Sequence, residues 1–168
     1  MNKSNNFNQI FNIMKEAFPV SEIRDYKSQE AVFEKYNYNI ITSKGTDGKI
    51  RGFLSFWKLE SFNFIEHIAV KEEFRGNGIG ANLINTYLLQ NPLLTILEVE
   101  VPNDEIKRRR INFYKRAQFY LNLYFYSQPS FVKGIQDIPM YIMSYPSPIN
   151  FNEFIFLREK IYKNIYLV

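Results

Sequence analysis

The sequence contains no cysteine. Disulfides, thiolate metal centres and a cysteine nucleophile are excluded together. Histidine is almost as scarce: His67 is the only one, too few for a multi-histidine metal site, and no metal is expected. No apolar run approaches a membrane span, and the start, MNKSNNFNQI, lacks the basic segment followed by an apolar one that marks a secretory signal. The expectation is a cytoplasmic protein with no membrane partner. Charge of one sign is also thin. A net +4 is spread over 168 residues, apart from the run Lys107-Arg108-Arg109-Arg110. That run is weak ground for a nucleic-acid partner and reads as a solvated helix face; no nucleic acid is expected.

What is present is a core. Hydrophobic residues make up 46% of the chain and aromatics 17%, which rules out disorder and fits one domain over residues 1–168. Phe7, Ile10, Phe11, Met14, Ala17 and Phe18 recur at helical spacing, predicting an amphipathic helix over 5–17 that Pro19 stops. A second helical pattern, from Ile23 to Tyr36, breaks near Ser28. Residues 38–44 and 49–58 are β-rich and flank Gly45-Thr46-Asp47-Gly48, a hairpin signal. Residues 95–101 and 119–127 read as strands on either side of a helix opened by Pro102-Asn103-Asp104-Glu105, and 139–145 as the last strand. Phe154, Leu157, Ile161 and Ile165 predict a final helix from about residue 151.

The most informative stretch is residues 64–89. A largely buried strand over 64–70 runs into Arg75-Gly76-Asn77-Gly78-Ile79-Gly80, and Leu83, Ile84, Tyr87 and Leu88 follow at helical spacing. The close-set glycines leave backbone N–H groups unshielded at a helix N-terminus, where orphan donors and the macrodipole favour an anion. A P-loop needs Lys-Ser/Thr after its last glycine, and this chain has Ala81-Asn82. A Rossmann fingerprint needs different glycine spacing after the first strand of a βαβ unit, and here an antiparallel hairpin comes first.

The element order, with Arg75, Gly78 and Gly80 preceded by Ile68-Ala69-Val70 and followed by Phe113-Tyr114, resembles the GNAT (Gcn5-related) N-acetyltransferase superfamily over roughly residues 7–145. The resemblance implies an α+β fold: a mixed, mostly antiparallel sheet of six to seven strands flanked by helices, with residues 150–168 as a C-terminal helical extension. It implies acetyl-CoA as cosubstrate. Backbone N–H groups of Arg75, Gly76, Asn77, Gly78, Ile79 and Gly80 would bind its pyrophosphate, and Ile68, Ala69 and Val70 would flank its pantetheine arm. It implies N-acetylation of a primary amine, on a small molecule or a peptide, with Tyr114 as the acid for the departing thiolate. A non-catalytic acyl-CoA-binding domain on the same fold is the alternative.

Glu66 is the first candidate base. A buried carboxylate gains a raised pKa suited to proton removal, and alternation puts Glu66 on one face with Ile68 and Val70 while His67 faces the other way. Pairing with a cation, in a purely orienting role, is the competing reading. Glu98 and Glu100 share a strand face and are the other carboxylates able to serve as base or bind the amine. Phe151, Phe154, Phe156, Tyr162 and Tyr166 either cover the sheet or form a dimer contact, so monomer and homodimer both stay open.

Overall fold

Aromatic and aliphatic residues at helical spacing draw the first helix onto a three-stranded sheet. In the computed structural model, which describes residues 3–132 and 134–168 and side chains from residue 6 onward, the chain forms two compact units, 1–92 and 93–168. Met1 and Asn2, which open the MNKSNNFNQI segment, and Lys133 of the loop before the last strand lie outside the described residues.

The first unit holds α1 (Lys3–Ala17), a 3₁₀ turn (Val20–Glu22), α2 (Tyr26–Phe33), β1 (Tyr38–Lys44), β2 (Ile50–Lys58), β3 (Asn63–Val70), a second 3₁₀ turn (Glu72–Phe74) and α3 (Ile79–Gln90). Phe7, Ile10, Phe11 and Met14 of α1 are buried in one cluster with Ile50 and Phe53 of β2 and Ala69 of β3. Burial of each such side chain stabilises by about 1.5–3 kcal/mol. The break in the second helical pattern falls earlier than expected. Asp25 caps α2 by accepting from the Ser28 backbone N–H at 3.0 Å, so Ser28 helps to start the helix rather than to interrupt it. The three strands are antiparallel in chain order. Asp47 accepts from the Lys49 N–H at 3.1 Å and Gly48 takes a φ of +74°, which fixes the β1–β2 turn.

β3 carries one irregularity that matters later. Ser55 pairs with His67, but the next residue, Phe56, pairs with Ile65, so Glu66 is an extra residue opposite no partner. It is a β-bulge, and it resets the alternation of side chains along the strand.

The second unit holds β4 (Thr95–Glu100), α4 (Glu105–Arg116), β5 (Tyr120–Gln128), β6 (Ile138–Tyr145), α5 (Phe151–Ile161) and a π-helical turn (Tyr162–Tyr166). β6 pairs antiparallel with both β4 and β5. Asn122↔Ile142 and Tyr126↔Met140 are both in register, four steps on β5 against two on β6, so residues 123–125 bulge outward. The C-terminal segment covers its own strands: Phe154, Leu157, Ile161 and Ile165 are buried, and the Phe154 ring stacks on Tyr124 at 5.0 Å. Phe151 and Phe156 stay exposed. Asn150 and Glu153 form a reciprocal capping box that starts α5.

Candidate active site

The glycine turn is open in the way the anion-site reading requires. Gly78 is the N-cap of α3 and offers no side chain to its first turn. Gly76 and Gly78 take φ values of +82° and +74°, which side chains disfavour. A Cβ at either position would meet nothing within 4 Å. Glycine is therefore required here for backbone conformation and leaves the backbone bare, with no protein group filling the space. The Asn82 N–H already bonds to the Gly78 carbonyl at 3.0 Å, leaving the N–H groups of Ile79, Gly80 and Ala81 ahead of the first helical hydrogen bond. Arg75 and Asn77 brace the turn by donating to the carbonyls of Val70 (3.1 Å) and Phe74 (3.3 Å). Beside it a cavity of about 380 Å³ opens between the end of β3 and the last turns of α1, with Ile13, Ala17 and Val70 among its walls and the exposed Glu16, Glu72 and Arg75 at its edge.

Ile68, Ala69 and Val70 form the last residues of β3 and pair with Leu54, Phe53 and Gly52. Ala69 faces the α1 core, while Ile68 and Val70 are only half-buried. The bulge corrects the expected placing of Glu66. Its side chain does not share a face with Ile68 and Val70. It lies with His67, the two coming within 3.5 Å, on the side that faces Arg24 and the carbonyl of Glu22. Two consecutive polar residues in an otherwise apolar strand were the signal of a lost alternation.

The Glu66 side chain is only 3% exposed, and its Oε1 accepts from the Arg24 guanidinium at 2.7 Å. Burial by itself would raise this carboxyl. The charge of Arg24 and the contact with His67 outweigh it and hold the group well below the usual carboxylate range, which overturns the expected raised pKa. Arg24 also reaches Gln29 at 3.5 Å and lies 5.8 Å from the Trp57 ring. Gln29 donates to the Tyr38 hydroxyl at 3.2 Å. Burial, then the Glu66 charge, push that phenol well above its ordinary value. His67 Nε2 faces the Glu22 carbonyl at 3.2 Å, and a carbonyl only accepts, so this nitrogen donates. Arg24, Gln29 and Tyr38 had no marker in the sequence, because each acquires meaning only from a partner distant along the chain.

In the second unit Tyr114 is buried on α4, with its ring 5.1 Å from Phe113 and 5.9 Å from Phe119. Burial pushes its hydroxyl up to about 12, against a smaller opposing effect of Arg110. The helix ends directly after it. The Phe119 N–H bonds to the Tyr114 carbonyl at 3.1 Å and the Gln118 N–H to the Lys115 carbonyl at 3.0 Å, a Schellman closure with Gln118 at φ +65°. Glu100 is taken up by Arg110 at 2.6 Å and Lys107 at 3.6 Å, while Arg108 and Arg109 pair with Glu105. The basic run is thus matched locally by acids, as a solvated helix face. Glu98 accepts from the hydroxyls of Tyr126 and, at 2.6 Å, Tyr166.

The sequence profile of the Acetyltransferase (GNAT) family matches residues 7–119 of this chain, which include the glycine turn and the Tyr114 helix. The chain belongs to the GNAT family. Among solved structures, a candidate GNAT-family acetyltransferase from Bacteroides thetaiotaomicron is 26% identical and superposes with a TM-score of 0.90, covering 98% of this chain and 94% of that one. This establishes the expected α+β GNAT fold, with three paired antiparallel strands in each unit. YjbC of Bacillus subtilis (strain 168), a candidate acetyltransferase, is 27% identical over 107 residues, which are 63% of this GNAT chain and 54% of YjbC. The match therefore spans about half the length of that relative. Arabidopsis thaliana NAA60, solved with acetyl-CoA, shares the fold at 18% identity and a TM-score of 0.64, covering 86% of this chain and 94% of that one. No described helix of this GNAT chain is long and apolar enough to cross a membrane.

Proposed function

We propose that this GNAT chain is an N-acetyltransferase that moves the acetyl group of acetyl-CoA to a primary amine by direct attack. The bare glycine turn carries the reading: Gly76 and Gly78 hold a backbone conformation that side chains disfavour, with open space where a Cβ would stand, at the uncapped start of α3. The N–H groups of residues 76–80 would bind the pyrophosphate there, stabilised by the helix dipole, whereas the Arg75 N–H is already taken by the Glu72 carbonyl at 3.1 Å. Ile68 and Val70 would line the pantetheine arm, and a β3 backbone N–H would polarise the thioester carbonyl.

In the reaction the amine nitrogen attacks the carbonyl carbon, a C–N bond forms and the C–S bond breaks. The departing thiolate takes the Tyr114 proton, the ammonium passes its own to water, and solvent returns a proton to the tyrosinate. A hydroxyl pushed up to about 12 holds its proton at neutral pH, which suits a donor. Glu66 stays the candidate carboxylate of the reaction in a restricted form. Opposite Arg24 it is ionised at neutral pH and a weak proton acceptor, so it serves by relaying a proton through water or by orienting its neighbours.

Calorimetric titration with acetyl-CoA, followed by thiol release with a panel of amines, tests the reading. Binding and turnover are expected, with Tyr114→Phe lowering kcat about 10²–10⁴-fold and leaving the affinity for acetyl-CoA unchanged. Glu66→Gln separates its two roles: a lower kcat with an altered pH profile marks the relay, and unchanged kcat with lower stability marks orientation. Binding without turnover on any amine would replace the enzyme by an acyl-CoA-binding module. No binding would remove both.

A further inference from the structure

One edge of the second unit is built without the devices that keep sheet edges apart. In that unit the strand order is β4-β6-β5, so β5 is an outer strand. Monomeric proteins blunt such edges with lysine, proline, an inward charge or a bulge. β5, YLNLYFYSQ, has nine residues, with no charge and no proline. Its bulge works the other way. Tyr124 turns inward and stacks on Phe154, while Leu123 and Phe125 on either side of it are 72% and 82% exposed. Tyr120, which opens the strand, is exposed as well, and so is Phe151, whose ring lies 5.6 Å from Tyr124.

We propose that the β5 edge is a homodimer interface, on which a second copy of this chain lays its own β5 antiparallel about a two-fold axis near Leu123 and Phe125. Area supports a second copy. With about 150–250 Å² for a whole aromatic side chain, the exposed parts of Tyr120, Leu123, Phe125 and Phe151 come to roughly 350–550 Å² per copy. A stable interface buries about 800 Å² per partner, of which a little over half is apolar. The four side chains therefore supply the apolar core of one such interface. Charge points the same way. The chain carries a net +4, so two copies repel one another overall. An uncharged β5 sets no like charges opposite each other when it meets itself. Antiparallel strands suit a two-fold axis, because each copy offers the same edge in reverse. A closed pair covers both edges, whereas a head-to-tail contact would leave one open at each end. The C-terminal helix serves both uses at once: Phe154 covers the strands of its own chain and Phe151 meets the partner copy. None of this rests on acetyl transfer.

The test is sedimentation of the full chain from micromolar to millimolar concentration, with circular dichroism to show that each variant is folded. A reversible dimer is expected. Phe125→Glu is expected to raise its dissociation constant at least about 30-fold, the loss typical of a central interface side chain. Leu89→Glu on α3, where the side chain is 87% exposed and has no part in this edge, is expected to leave the constant unchanged. Mixing Phe125→Glu with Phe125→Lys chains is expected to restore a dimer with one chain of each kind. A wild-type chain that stays monomeric throughout overturns the proposal and leaves the edge to a partner of another kind. A dimer that survives in a folded Phe125→Glu chain, or one weakened as much by Leu89→Glu, puts the interface elsewhere and overturns it too. Failure of the mixed pair to form overturns the two-fold contact of this edge with itself.

Discussion

Glu66 and Glu98 are both glutamates in otherwise apolar stretches of strand, yet the chain treats them in opposite ways. Glu66 is shut in, 3% exposed, and answered by a full positive charge on Arg24. Glu98 is half-buried, and two phenol hydroxyls are among its partners. The difference teaches what each environment permits. A buried carboxylate opposite a guanidinium is a structural tie whose cost of desolvation is offset only while the partner stays. A carboxylate at a half-buried place keeps part of its hydration, so less desolvation has to be offset by its partners.

The sharpest way to break this contrast is Arg24→Met. It leaves Glu66 buried without its cation and is expected to cost about 3–5 kcal/mol, roughly 10 °C in thermal midpoint. Changing Glu66→Leu in the same chain should recover most of that loss. Glu98→Gln is expected to cost only about 1 kcal/mol, since the amide oxygen still accepts from a tyrosine hydroxyl. Thermal denaturation of the three variants beside wild type decides it, and equal losses in Arg24→Met and Glu98→Gln would end the comparison.

Acid provides the next test. The folded Glu66 carboxyl lies below its unfolded value of about 4.3, so its contribution is present above that pH. As pH falls further, the unfolded chain takes up a proton that the folded chain refuses, and stability drops until the folded carboxyl titrates. Denaturant unfolding from pH 7 to pH 3 should show wild type losing more stability than the Arg24→Met/Glu66→Leu chain. Parallel profiles would mean that the ion pair carries no linkage.

The smallest effect belongs to the helix that presents Tyr114. Gln118 sits at φ +65° in a Schellman closure, where a side chain is strained. Gln118→Gly should stabilise by up to about 1 kcal/mol, measured by the shift of a urea midpoint, without touching either glutamate. A loss of stability would show that the Gln118 side chain makes up for its strained backbone.

Much of this was legible beforehand where the cause is local. The spacing of Phe7, Ile10, Phe11 and Met14 marked α1, and the Asp47-Gly48 pair marked the β1–β2 turn. Residues 75–80 announced an uncapped helix start. Reading failed where one residue's role depends on a remote one. Strict alternation put Glu66 beside Ile68, and a single inserted position in the β2–β3 register moved it to His67's side. The break assigned to Ser28 was a cap, decided by which way Asp25 turned.

The sequence by itself determined the glycine turn, because backbone dihedrals at Gly76 and Gly78 are set by the absence of a Cβ and need no distant partner. It also marked Tyr114 by its place in a family pattern. Tertiary structure alone decided what the carboxylates are. Glu66 meets Arg24 across 42 residues and Glu98 meets Tyr166 across 68. Protonation and solvent access depend on charge and burial in space, which a bulge or a returning C-terminal turn can change while the local sequence stays the same.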